Sequence, residues 1–315
     1  MVEANGDEIA SYPCNTVDCI TLFPGVNVSP RLIKNLAERK KNVFWVDSLG
    51  KTYASVSFPD ADNIARRKLQ FELTDDYDFR LGFARRNIDS KVACQSRLIE
   101  KECGKAAADV CEELSHVRKS IAAAQDISVI MGLEGYAARI YFAALAGVLP
   151  KEWGFVKRTK HPPRDCFSAL LSFTYMLLYN ETVSAIRGAG LDPEIGVMHS
   201  LGESHQALAS DLMEEFRPLI CDRLALRIVR SGELTPRDFT YNGDGSVYMN
   251  KDSSKKVIAA FSAEMNANSG VRKTKGRGNA WRDVIAIQVS GLVSAMSAKD
   301  PGKYDPVYPG SDGGA

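Results

Sequence analysis

A chain of 315 residues, 45% hydrophobic and 25% charged, has the composition of a globular protein, with apolar material for one large or two smaller domains. With 40 basic and 39 acidic residues the formal net charge is +1, so any attraction to nucleic acid must come from local clusters. The seven widely spread cysteines do not form a disulfide pattern, no apolar run reaches the roughly 18 residues of a membrane span, and the start MVEANGDEIASYP lacks a basic-then-apolar secretory signature, so a reducing cytoplasm is expected.

Residues 1–63 read as a small β-rich domain. IASYP, DCITLF, KNVFWVD and KTYASVS are short, rich in β-branched and aromatic residues, and separated by Gly, Pro, Asn and Asp. One helix interrupts them in VSPRLIKNLAERK, where Ser29 is the N-cap and Pro30 the first helical residue. Leu32, Ile33, Leu36 and Ala37 then recur at helical spacing.

The composition changes near residue 64, and residues 64–300 read as a larger all-α domain. Ala, Leu, Arg, Lys and Glu at helical spacing run to about Arg118, and further helix follows to Gly147 and Pro150. The basic loop KEWGFVKRTKHPPRD precedes an apolar helix that Asp165 caps. After LDPEIGVMHS, one helix is expected from about Ser204 to Arg230. The polar stretch 237–280 predicts one helix at SSKKVIAAFSAEMNA, and NAWRDVIAIQVSGLVSAMSA predicts the last. Residues 301–315, rich in Pro and Gly, are expected to form a flexible tail. The fold class is therefore α+β, with a β-rich N-terminal domain and a larger α-helical domain.

Polar residues stranded in apolar helices carry the chemical information. Glu134 lies in ISVIMGLEGYAARIYFAALAG, where a buried carboxylate needs a cation or donors. Two readings stand: a ligand position, or a solvated face paired with Arg139. His199 ends GVMHS and reads either as a satisfied structural histidine or as a ligand. In SHQALASDLMEEFRPLICDRL, Asp211 and Glu214 share a helical face, with Glu215 and Asp222 nearby. Such a patch is either solvated surface or a divalent-cation site. Two carboxylates and an imidazole suit Mn²⁺ or Mg²⁺, and Zn²⁺ accepts the same donors.

Basic clusters supply the other half. They are Lys157, Arg158, Lys160, His161 and Arg164 in one loop, Arg66, Arg67 and Lys68, Arg85 and Arg86, and Arg272, Lys273, Lys275 and Arg277 in VRKTKGRGN. Each is either a solvated face or a set of phosphate contacts. The DNA-backbone candidates are Lys157, Arg158, Lys160, Arg164, Arg66, Arg67, Arg272 and Lys273. Nothing presents side chains for base reading.

In this order and spacing, MGLEGYAARIYF, HPPRDCFSALLSFTYMLLY, GLDPEIGVMHS and LASDLMEEFRPLICDRL resemble the CRISPR-associated endonuclease and integrase of spacer acquisition. ITLFPGVNVSPRLIKNLAERKKNVFWVD is similar to that family's β-domain, and the likeness covers nearly the whole chain. The resemblance implies that Glu134, His199 and Glu214 bind Mn²⁺ or Mg²⁺, with Asp211 as a nearby second carboxylate. It also implies a homodimer joined to a small ferredoxin-like partner subunit. The complex would hold a short DNA duplex and insert its 3′-hydroxyl ends at the CRISPR repeat by transesterification; the same site would cut DNA with water as nucleophile.

Three features depart from the family pattern. The N-terminus reads as short by a strand or two. Ser168 and Cys166 stand where the family often has Asn and Pro, and SLGESHQAL, with Glu203 and His205, follows His199 where it often has Arg or Lys. Two competing readings are a catalytically weak DNA-binding scaffold of the same complex, and a helical protein whose acidic patch is plain surface.

Overall fold

A computed structural model describes residues 2–4, 7–17, 19–39, 41–47, 52–56, 64–160, 162–199, 206–271 and 279–309. The chain divides into two compact units, Met1–Asn63 and Ile64–Ala315.

In the first unit, β1 (Val2–Ala4) and β2 (Asp7–Ala10) form an antiparallel pair. β3 (Cys19–Leu22), β4 (Asn42–Val46) and β5 (Thr52–Val56) form a second sheet in the order β3-β4-β5. The β3–β4 pair is parallel, so the chain needs a crossover, which α1 (Pro30–Glu38) provides. Ser29 caps α1 by accepting from the Leu32 amide. Leu36, one turn beyond Leu32 and Ile33, is sealed against Leu22 and Val43.

The second unit is built from helices. α2 (Ile64–Thr74), α3 (Tyr77–Cys103), α4 (Ala108–Ala123) and α5 (Ile127–Val148) follow one another, and α3 packs against α4 and α5. Asp76 and Asp126 cap α3 and α5 through the Phe79 and Ser128 amides. α6 (Cys166–Gly188) starts on Asp165, which accepts from the Ser168 amide at 2.7 Å. α9 (Lys251–Asn266) and α10 (Trp281–Ala298) close the unit. Among the described helices, α5 is long and apolar enough to cross a membrane by length and composition alone. Glu134 and Arg139 at its middle and its packing on α3 and α4 fit a helix of this unit.

The structure corrects three expectations. The helix expected over Ser204 to Arg230 is interrupted: α7 (Ala207–Met213) passes through a π-turn at Arg217–Asp222 into α8 (Arg223–Ser231). Pro218 has no amide to donate and its ring crowds the preceding turn, so a wider turn is the local solution. Second, the unit is not purely helical. β6 (Phe239–Tyr241) and β7 (Val247–Met249) form a hairpin in the polar stretch, with Phe239 against Trp153 and Val247 fully buried.

The third correction concerns the expected tail over 301–315. Residues 301–309 are packed, with Tyr304 and Val307 at 0% and 1% exposure. The tail's few apolar residues are placed where they seal; Pro301 lies so close to α3 that a Cβ on Gly82 would come within 2.5 Å of its ring. Residues 310–315, and the expected positions Lys40, His161, Glu203, His205, Arg272, Lys273, Lys275 and Arg277, lie outside the described residues.

Candidate metal centre

Lys91 is the organising residue. It sits on α3 in phase with the apolar Ala84, Ile88 and Val92, and is 4% exposed. Its ammonium donates to Glu134 Oε1 from α5, and Glu214 Oε2 from the turn after α7 lies 2.5 Å away. Arg217 Nη2 is 3.2 Å from the other oxygen of Glu214. Two carboxylates from distant segments thus meet at one cationic point.

The electrostatics follow from that meeting. Burial works against the Lys91 charge, but Glu214 and Glu134 outweigh it and hold its pKa above the ordinary lysine range. Burial likewise opposes the Glu214 charge, yet Arg217 and Lys91 bring its carboxyl down to about 2. Arg217, partly buried, is raised chiefly by Glu214 once burial has been overcome.

His199 is held differently. Gly196, Val197 and Met198 approach α7 so closely that a Cβ on Gly196 would meet Ala207 at 2.7 Å and the His199 carbonyl at 2.9 Å. Asp211, fully buried, accepts from the amides of Val197 (2.6 Å), Met198 (2.9 Å) and His199 (3.2 Å). Its Oδ1 is also 2.5 Å from His199 Nδ1. That bond raises the His199 pKa against burial, with the Asp211 and Glu214 charges adding to it. With Nδ1 turned to Asp211, Nε2 is the nitrogen that would serve a ligand. Gln70 of α2 grips the same loop from its far side: its amide donates to the Asp192 and Ile195 carbonyls and accepts from the Asp192 amide.

The four carboxylates expected as one acidic patch point apart, because successive helical residues turn by about 100°. Asp211 faces the loop of His199 and Glu214 faces Lys91 and Arg217. Glu215 faces Tyr304 and Gln288, while Asp222 accepts from Tyr175 (2.6 Å) and Tyr141 (2.8 Å). All four are buried, so the solvated-surface reading does not hold. Among the described residues, no group of three His, Cys, Asp or Glu side chains forms a ready cage for a metal. Instead Glu134 and Glu214 share a cation, and His199 is close enough for the Glu214 charge to act on it. Oxygen donors that already converge on one positive charge fit a hard divalent ion, with the imidazole as a third donor.

The basic residues separate into two kinds. Arg158 is half-buried under structural bonds to the Thr159 and Ser168 carbonyls and to Ser172 Oγ, and lies over Tyr175. Arg66 donates to the Ala189 carbonyl at 2.6 Å and Arg164 to the Asp244 carbonyl. Lys157, Lys160 and Arg67 are exposed. Partial burial of the Lys160 ammonium, and then the Arg217 and Lys91 charges, lower its pKa. Ser168 is fully buried, and its hydroxyl accepts from the Thr159 amide, fastening the basic loop to α6.

Residues 1–263 match the family model described as CRISPR associated protein Cas1. The chain belongs to the Cas1 family. Among curated Cas1 relatives, the CRISPR-associated endonuclease Cas1 1 of Moorella thermoacetica is 33% identical over 271 residues, covering 82% of this chain and 79% of its own. The CRISPR-associated endonuclease Cas1 of Mycobacterium tuberculosis (strain H37Rv) is 29% identical, with 93% and 88% covered. In fold the chain resembles a casposase bound to integration product, with a TM-score of 0.80 at 22% identity over 97% of this chain and 88% of that one. A chain of a Cas6-RT-Cas1–Cas2 complex gives a TM-score of 0.80 at 25% identity, over 92% of this chain and 32% of that longer chain.

Sequence reasoning did not single out Lys91 or Arg217 in this Cas1-family site. The signals were present: a lysine on the buried stripe of a long helix, and an arginine three residues after Glu214, where a helical partner stands.

Proposed function

We propose that this Cas1-family chain, an endonuclease and integrase of CRISPR adaptation, uses Glu134, Glu214 and His199 to hold a Mg²⁺ or Mn²⁺ ion for strand transfer into DNA. The observation that carries the reading is the meeting of Glu134 and Glu214 at one buried cationic point. A bound divalent ion supplies Lewis-acid polarisation of a phosphoryl oxygen and lowers the pKa of an attacking hydroxyl or water. The chain's own residues do the rest. Asp211 fixes the His199 ring through Nδ1. Lys91, Arg217 and Lys160 put positive charge next to the acids, which suits a phosphodiester in transit.

In the reaction, the 3′-hydroxyl of a short duplex gives up its proton to water and its oxygen attacks phosphorus in the repeat strand. The bond from phosphorus to the bridging 3′ oxygen breaks, and that oxygen leaves as a hydroxyl after taking up a proton. Water as nucleophile gives cleavage instead. We place the protein in the cytoplasm as a homodimer, with double-stranded DNA and a small ferredoxin-like subunit as partners. The Cas1–Cas2 complex named for a similar structure supports a partner subunit, and cysteines that are all free thiols support a reducing compartment.

The test is Glu134→Ala. Strand transfer should fall by roughly a hundredfold or more, while affinity for the same duplex persists on the basic surface. Parallel loss of binding and transfer would count against this division of roles. A second reading, a catalytically weak scaffold, is favoured by the ammonium of Lys91 already between the two acids. It predicts that Mn²⁺ neither binds nor stimulates transfer.

A further inference from the structure

We propose that the segment from Pro301 to Tyr308 is a clasp that positions Glu214 and Lys91, and that Tyr304 and Glu215 are its positioning residues. The inference rests on the proposed role of Glu214.

The clasp grips both sides of the centre one residue away from the charged pair. On the α7 side, the Glu215 carboxylate is sealed from solvent and accepts from Tyr304 Oη (2.5 Å), the Val307 amide (2.6 Å) and Gln288 Nε2 (3.1 Å). On the α3 side, the hydroxyl of Ser90, next to Lys91, donates to the Val307 carbonyl. Tyr308 Oη donates to Asp89 at 2.9 Å. Val307 is thus bonded through its amide to the residue after Glu214 and through its carbonyl to the residue before Lys91.

The turn that carries Glu214 needs such a tie. Regular helix ends at Met213, and the π-turn begins at Arg217, so Glu214 sits in a short irregular stretch. Its position is set by what holds its neighbour. A carboxylate buried without donors would swing outward, and that movement would carry the adjacent Glu214 away from Lys91. The Tyr304 ring, fully buried with its centroid 4.7 Å from that of Phe83, fixes the phenol against α3 so that its hydroxyl reaches Glu215. The geometry therefore makes this C-terminal stretch part of the site's scaffold.

The test uses the full chain carrying Tyr304→Phe, with Val257→Ala in α9 as a control of buried volume outside the clasp. Backbone amide exchange is read together with the Mn²⁺ dissociation constant and the DNA cleavage rate, at a temperature where both variants are folded. In Tyr304→Phe, exchange should accelerate at residues 213–217 as well as at 301–308. Mn²⁺ affinity and cleavage rate should fall about tenfold with the DNA KM unchanged, in the range seen when a group supporting a metal ligand is lost. Val257→Ala should lower the unfolding midpoint yet leave affinity and rate in place. Faster exchange confined to 301–308, or loss of function in both variants in proportion to their midpoints, overturns the clasp. If the exchange pattern appears but neither variant nor the parent chain binds Mn²⁺, the clasp stands and the metal-dependent function fails.

Discussion

Glu214 and Glu215 are adjacent in the chain and both are buried, but their surroundings differ in kind. Glu214 faces two cations, Lys91 and Arg217. Glu215 accepts from a phenol, an amide side chain and a main-chain amide, all fixed by packing. A carboxylate matched by ammonium and guanidinium can trade one cation for another at modest electrostatic cost. A carboxylate matched by built-in donors cannot exchange its partners without opening the fold. A single step along the chain thus separates a centre suited to chemistry from a tie suited to holding it.

The sharpest way to break that comparison is Lys91→Met. It removes the cation shared by two acids and should destabilise the chain by about 3 kcal/mol without added metal, since Glu214 retains Arg217. Mn²⁺ should restore much of the loss. Urea unfolding with and without Mn²⁺ measures both, and an unchanged midpoint in the metal-free variant would show that Lys91 is not the counter-charge.

Asp222 extends the comparison to a third acid on the same stretch. Burial raises its carboxyl from 3.8 to about 6, against the hydrogen bonds from Tyr175 and Tyr141. The folded state therefore keeps a proton that the unfolded state has lost, so this group's contribution to stability falls as pH rises from about 4 to about 6. Asp222→Asn should flatten that part of the stability curve. Superimposable curves for variant and parent would contradict the assignment.

The smallest effect expected is on the basic surface. Exposed Lys157 and Lys160 are placed to meet phosphate, whereas Arg158 is engaged in holding α6. Replacing both lysines with alanine should reduce the slope of log affinity against log salt by about 1–2. Arg158→Ala should instead lower the unfolding midpoint. The same slope for the double-lysine variant and the parent would remove these residues from the interface.

Much of this was legible in the sequence, for identifiable reasons. The Ser29–Pro30 start of α1 and the Asp165 start of α6 are encoded locally, so capping residues announced them. Glu134, His199 and Glu214 could be nominated as candidate ligands because motif order ties distant segments together. What the sequence did not show is where side chains from distant helices converge. Lys91 was not singled out, and Glu215 read as one more acid of a patch. Helical phase could have flagged both, but only packing reveals that one faces Glu214 and the other Tyr304. The Pro/Gly-rich composition of the last residues suggested looseness, yet Tyr304 and Val307 sufficed to anchor residues 301–309.

The most direct measurement of the central claim is Mn²⁺ titration, by calorimetry, into the parent chain and into Glu214→Gln and Glu215→Gln. The account predicts binding to the parent, none detectable with Glu214→Gln, and weakened but measurable binding with Glu215→Gln. Equal Mn²⁺ affinity in the parent and in Glu214→Gln would contradict it.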